Sequence, residues 1–492
     1  VKKPLSIITV IVLVGVAWLA ARHQHRNPEY TTSSTKAYAS YLKGDEQLNA
    51  FQWTQAAASL REAMRLDPGF AMAQAAYAVL MKSQGSPEQL KTATARAESL
   101  AALLPDENER MLIQLRLVQY GLLQDCPEDS LLKIIQERLP KHPIVLSARA
   151  MLAMENRENA KAAEIWRQLL EVDPNDARAY NWLGYNASYV GRYDEALSYL
   201  HKYAYLAPDL ANPHDSLGEI LTYIGDYDQA EREFLQALEI QPDFFVSLVN
   251  LARVYIETGR LRKGVEILRS VSEEIAGTAY AKDIDRRLIG VFYTYGLKAE
   301  LDGSIADYNR RYPDDLFASF YRAMRLAGQG QAEAGRALCD SFLTVIGEES
   351  YFQSEVGREH LARLQYTSWG TYAEVSGDTN LAAEYWGKAL THASFLPPHE
   401  QRMILVRYGE ALLKLGNATE ALAQADQCLA INPNLPQALV LRVETCLALG
   451  RWDEAERSLT RLDGILAAAD SDFPPAVKAR SLRQDLAERA SS

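Results

Sequence analysis

The 492-residue chain reads as an all-α solenoid: about eleven or twelve helix-turn-helix units stacked along one axis, behind one apolar N-terminal helix. Three observations predict it. Residues 177–244 hold the same unit twice, with Gly184 and Gly218, Ala196 and Ala230, and Pro208 and Pro242 each recurring after 34 residues. Elsewhere, apolar residues keep helical spacing between proline or glycine marks. The first thirty residues differ from the rest, with an uncharged run from Leu5 to Ala21.

Within a unit, each residue type has a physical reason. Gly184 and Gly218 carry no Cβ, so the second helix can approach the first closely, and Ala196 and Ala230 do the same from the other side. Leu183, Leu200, Leu217 and Phe234 fill the space between helices. Gly191 and Gly225 supply left-handed caps in the turns, and Asp194 and Asp228 are placed to start the next helix. Pro208 and Pro242 stop the second helix. A single unit cannot bury its apolar faces, so the units stack.

These residues match a known pattern, W-x2-L-G-x2-Y…A-x3-F…P. It stands here as Tyr180, Leu183, Gly184, Ala187, Ala196, Leu200 and Pro208, then as His214, Leu217, Gly218, Leu221, Ala230, Phe234 and Pro242. The chain therefore resembles the tetratricopeptide repeat (TPR) proteins. That resemblance implies a right-handed superhelix whose first helices line a concave, protein-binding groove.

At the N-terminus, Lys2 and Lys3 precede the run 5–21, in which ten of seventeen residues are Leu, Ile or Val. They contribute roughly −3 to −6 kcal/mol of insertion free energy, and the run spans about 26 Å as a helix. Trp18 sits near one end, and Arg22 and Arg26 follow. Residues 1–26 are expected to be a membrane anchor; the alternative is a cleaved signal peptide, for which Leu19-Ala20-Ala21 is a poor cleavage site. Val1 points to a GUG start codon or a trimmed chain, hence to a bacterium. The short basic start favours a single-pass inner-membrane protein with its repeats in the periplasm. Residues 27–35 read as a polar tether, 36–472 as the solenoid, and 473–492 as a capping helix and tail.

The first unit carries Gly44, Ala56, Leu60, Ala63 and Asp67-Pro68 in register. Its Tyr41-Leu42-Lys43-Gly44, Ala63, Asp67-Pro68 and Ala71 to Ala78 resemble the TPR regions behind a membrane helix in bacterial CadC-like regulators, adenylate cyclases and serine/threonine kinases. In those families an effector domain precedes the helix; only four residues do here, so an effector would be a separate chain. Units at 71–105, 106–141 and 143–174 are degenerate, marked by Pro105, Pro140, Pro143 and Asp173-Pro174. After the two clear units, 245–275 has Gly264 where alanine belongs, and 276–313 and 314–347 read as helix pairs. Residues 348–365 lie out of register and lengthen a helix, and register returns at Tyr366, Trp369, Gly370, Ala382 and Trp386.

The net charge of −12, without a block of like charge, argues against nucleic acid. Cys126, Cys339, Cys428 and Cys446 lack metal-ligand spacing and read as buried apolar residues. The glycine-rich stretch 328–335 lacks the Lys-Ser/Thr pair of a phosphate loop and reads as a turn. His392, His399 and Glu400 around Pro397-Pro398 read as a loop. No catalytic constellation can be assembled, so the chain is expected not to be an enzyme and to use no metal, cofactor or small-molecule substrate. Its partner is expected to be a protein or peptide, with the membrane contacted through residues 5–21.

The resemblance assigns Arg178, Asn181, Tyr185, Tyr189, Asn212, Asp215, Glu219, Tyr223, Asn250, Arg253 and Glu257 to the inner surface of successive first helices, as exposed protein-binding residues. Tyr, Arg and Asn suit peptide contact, combining rigid aromatic area with adaptable hydrogen bonding. The chaperone-binding carboxylate clamp of some TPR proteins is not implied: Asp215 and Glu219 take inner positions and no lysine does. The function expected is a membrane-anchored scaffold or adaptor; the alternative is the sensory half of a split signalling system.

Overall fold

In the computed structural model, residues 29–49, 52–123, 128–348 and 355–490 are described. The anchor at 5–21 lies outside them. Among the described residues no helix is long and apolar enough to cross a membrane, and no strand occurs.

The chain divides into two compact units, one up to Ala179 and one from Tyr180. The first contains α1 (Thr35–Asn49), α2 (Trp53–Leu66), α3 (Ala71–Gln84), α4 (Pro87–Ala101), α5 (Glu107–Gln119), α6 (Glu128–Arg138), α7 (Pro143–Glu155) and α8 (Asn159–Val172). Then come α9 (Ala177–Tyr189), α10 (Tyr193–Leu206), α11 (Ala211–Ile224), α12 (Tyr227–Ile240), α13 (Phe245–Glu257), α14 (Leu261–Glu274), α15 (Ala279–Thr294) and α16 (Lys298–Arg311). The remainder is α17 (Leu316–Gly328), α18 (Ala332–Gly347), α19 (Glu355–Ser376), α20 (Thr379–Thr391), α21 (Pro398–Lys414), α22 (Ala418–Ile431), α23 (Pro436–Ala448), α24 (Trp452–Ile465) and α25 (Pro474–Ala490). Helices follow one another in pairs, with α25 last; α19, at 22 residues, is the long one.

Close approach within a pair explains the glycines. A Cβ on Gly184 would lie 2.7 Å from Leu200 Cδ2, and one on Gly218 2.7 Å from Phe234 Cε1. Any larger residue would push the paired helices apart. Gly225, at φ +80°, ends α11 in the left-handed region. The next cap differs from the expectation. Asp226, not Asp228, accepts the backbone N–H of Gln229, and Arg192 precedes α10 with no side-chain cap. Asp194 and Asp228 lie instead in the first turn, where the helix dipole favours a negative charge.

In the first unit, residues 29–33 of the stretch read as a tether are packed. Tyr30 is buried, edge-on to Tyr41 at 5.8 Å. Thr31 donates its N–H to buried Glu109 at 2.9 Å, and the Thr32 hydroxyl and Ser33 N–H both donate to Asp67. The cause is compositional: Tyr30 supplies apolar area, and the polar residues around it find carboxylate acceptors.

The second unit closes on itself. Asn434 Nδ2 donates to the Gly225 carbonyl at 2.9 Å, and Asn432 Nδ2 to the Tyr227 hydroxyl at 3.1 Å. The Asp470 N–H donates to the Gly259 carbonyl, and Arg262 N–H to the Asp470 carboxylate. The turns inside the pairs α11–α12 and α13–α14 thus meet the loops before α23 and α25, some 205 to 210 residues later. The seam adds these hydrogen bonds to an apolar cluster in which Val249, Ile256 and Tyr295 pack with Leu439, Val443 and Phe473.

Candidate inner-face cavity

The first helices α11 and α13 carry most of the expected binding residues, and the structure folds several of them inward into small hydrogen-bonded groups. Asp215 is 3% exposed and accepts hydrogen bonds from Ser247 Oγ at 2.8 Å and Asn250 Nδ2 at 3.2 Å. Burial, with Glu219 one turn away, pushes its carboxyl up to about 7. Glu219 accepts the hydroxyls of Tyr185 at 2.9 Å and Tyr223 at 2.6 Å. Burial and that carboxylate hold the Tyr185 hydroxyl well above its ordinary range. Asn212 is buried and donates to Tyr203, and Glu257 accepts from Tyr227. Arg178 pairs with Asp176 at 2.8 Å in the first unit. Tyr189 is half-buried, and Asn181 keeps a buried Oδ1 without a partner. The expectation of an exposed wall is therefore corrected for Asn212, Asp215 and Asn250, which are buried, and the polar groups satisfy one another rather than facing solvent.

Across this wall stands α21. His399, in its first turn, stacks on the Tyr223 ring at 3.6 Å with an interplanar angle of 8°. The Arg253 guanidinium lies 5.2 Å from the centre of the same Tyr223 ring. Arg402 donates to the carbonyls of His399 and Tyr223. Burial, together with the nearby Arg402 and Arg253, lowers His399 to about 3, so its imidazole is neutral at neutral pH.

Below these residues lies a cavity of about 340 Å³. Val249, Arg253, Ile256 and Glu257 of α13, Arg287, Gly290, Val291 and Thr294 of α15, and a face of α21 line it. On α21 that face is His399, Arg402, Met403, Val406, Arg407 and Glu410, which recur at helical spacing. Arg407 is engaged: it pairs with Glu410 at 3.0 Å, donates to the Thr294 carbonyl and lies over Tyr293. Arg253 lies against Tyr223, with Glu219 and Glu257 nearby, while its Nε and Nη2 are closed off from solvent and have no acceptor, and neither has His399 Nδ1 a partner.

Two tetratricopeptide-repeat family models match the sequence, one at residues 224–285 and 412–474, the other at 147–211 and 367–436. The chain contains tetratricopeptide repeats over these stretches. Curated protein sequences give no match. Among solved structures, the APC/C hetero-tetramer Cut9–Hcn1 is similar at 14% identity and a TM-score of 0.41, over 97% of this chain and 81% of that one. An O-GlcNAc transferase of Thermobaculum terrenum is similar at 21% identity and a TM-score of 0.25, over 27% of this chain and 26% of that one.

In TPR terms the cavity-lining residues sit on first helices, α13 and α15 of adjacent units and α21 three units further along the chain. Reading His399 as a loop residue missed this. The signal was Pro397-Pro398: proline at the first helical position starts α21, and His399, Arg402 and Val406 then share a face. Cys339, Cys428 and Cys446 are free and buried, and burial pushes the Cys428 thiol up to about 12, far from reactive. Cys126 lies outside the described residues.

Proposed function

We propose that this TPR protein is a non-catalytic scaffold that binds a protein or peptide partner and is held at a bacterial inner membrane through residues 5–21. TPR domains generally bind proteins. What supports the reading here is one observation: the N-terminal unit already holds a non-helical segment, the chain's own residues 29–33. Tyr30 fills a pocket made by Tyr38, Tyr41 and His142, and the flanking N–H and hydroxyl groups end on Glu109 and Asp67. An aromatic anchor with backbone hydrogen bonds on either side is a peptide-recognition arrangement.

Crosslinking in native membranes followed by affinity purification of the full-length protein tests this. A discrete set of crosslinked proteins that changes with Tyr30→Ala supports the scaffold reading. No protein captured above background from either unit refutes it. For the anchor, the full-length chain is expected to stay with membranes after an alkaline carbonate wash, and a chain beginning at Glu29 to be released. An alkaline phosphatase fusion at the C-terminus is expected to be active, with the repeats outside the cytoplasm.

A further inference from the structure

We propose that the cavity between α13, α15 and α21 takes a small uncharged apolar molecule, about the size of a bicyclic aromatic, and that this molecule holds the seam shut. The proposal goes beyond the scaffold reading and is independent of it. Apolar side chains from both sides of the seam meet at the cavity: Val249, Ile256 and Tyr295 from one, Val406 and Leu435 from the other. Gln437 Nε2 donates to the Tyr295 hydroxyl at 2.7 Å across the same gap. The charges around the cavity are already answered. Arg407 pairs with Glu410, Glu257 accepts from Tyr227, and Arg402 is held on two backbone carbonyls. The unpaired edge of Arg253 is closed off, and Arg287 and Glu400, of opposite sign, are exposed to water. A charged ligand would lose its water here and gain no partner inside, which is costly. An apolar body carries no such penalty.

Size follows from the volume. A dry apolar cavity of about 150 Å³ takes benzene, so about 340 Å³ has room for roughly two rings. It sits at the small end of the roughly 300–1,000 Å³ of ligand pockets. Gly290, inside α15, supports the same reading. It lines the cavity, and an added Cβ would meet nothing within 4 Å. Packing therefore does not demand a glycine there, unlike at Gly184 and Gly218, although glycine costs a helix interior about 1 kcal/mol relative to alanine. Its smallness keeps the cavity open instead. A molecule in this space touches both edges, so parting the seam would return it to water, and binding and closure are linked.

The test titrates the full-length protein calorimetrically at pH 7.5, in mild detergent against a detergent blank, with 2-naphthalenemethanol. The same rings as 2-naphthoate and as 2-naphthylmethylammonium supply an anion and a cation for contrast. The alcohol should bind saturably at one site per chain, and both charged forms about tenfold or more weakly. Gly290→Leu and Met403→Trp fill the cavity from opposite walls, and each should weaken the alcohol about tenfold or more. Both positions are exposed, so the helical melt should hold. The alcohol should also slow hydrogen exchange of the Asp470 and Arg262 backbone N–H groups, which donate across the seam, by up to about 1 + [L]/Kd. The proposal is overturned if the alcohol does not saturate at one site per chain or if either charged form binds as well. It is equally overturned if both filled variants bind the alcohol unchanged, or if exchange at Asp470 and Arg262 is not slowed.

Discussion

Asp215 makes the stability of the second unit depend on pH in a direction opposite to that of an ordinary paired carboxylate. Its carboxyl titrates at about 7 when folded and near 3.9 in the unfolded chain. Below about pH 4 both states are protonated and the group contributes no difference. As pH rises from 4 to 7, the unfolded chain releases the proton while the folded chain keeps it, so folding is progressively disfavoured. At 1.36 kcal/mol per pKa unit the loss approaches about 4 kcal/mol by pH 7 and then levels off. Asp215→Asn retains an oxygen acceptor for Ser247 and Asn250 and cannot ionise. Urea titrations of both proteins at pH 5 and pH 8 read the difference, so that every other titrating group cancels. The variant should gain on the wild type by a few kcal/mol more at pH 8 than at pH 5. Parallel stability curves across that range would mean that the carboxyl is ionised and solvated throughout, and the buried network at α11 and α13 would be wrong.

His399 predicts the reverse sign: its folded value of about 3 lies below the unfolded 6.5, so stability is full above pH 6.5 and lost on acidification towards 3, and His399→Gln should flatten that limb in the same titrations. Gly218→Leu should cost at least about 1–3 kcal/mol, read as a lower urea midpoint, because its Cβ would meet the Phe234 ring at 2.7 Å. Tyr30→Ala should destabilise the first unit by about 1.5–3 kcal/mol, seen as increased protease cleavage between α1 and α8, while the second unit's melt is unchanged. Gly225→Ala should open the seam, since the left-handed φ of +80° resists a side chain and the methyl would collide with Asn432; faster hydrogen exchange at both residues' neighbours is the readout.

The pairs were legible because their packing is local. Gly184 with Leu200 and Gly218 with Phe234 lie sixteen residues apart, inside one repeat, and the pattern encodes that contact directly. Gly370 with Trp386 shows the same spacing where register returns after the stretch 348–365. The seam was not legible. Asn432 and Asn434 follow a helix and adjoin Pro433, as any loop asparagine does, and nothing near them names Gly225 or Tyr227. Whether two edges meet depends on small rotations accumulated over many units, which no single motif records. For the same reason Asp215, Glu219 and Arg253 read as an open wall: their burial comes partly from neighbouring units and from α21, far along the chain.

The seam also bears on how such a chain can change length. Open repeat arrays lengthen or shorten by copying or losing whole repeats, because each touches only its neighbours. Here Gly225 must face Asn434, and Gly259 must face Asp470, across about six units of 34 residues. Duplication or loss of one repeat between these positions would displace every seam partner by a whole unit and leave the inner cavity without its α21 wall. The stretch from α12 to α22 is thus fixed in repeat number, a constraint that sequence drift within any one repeat would never reveal.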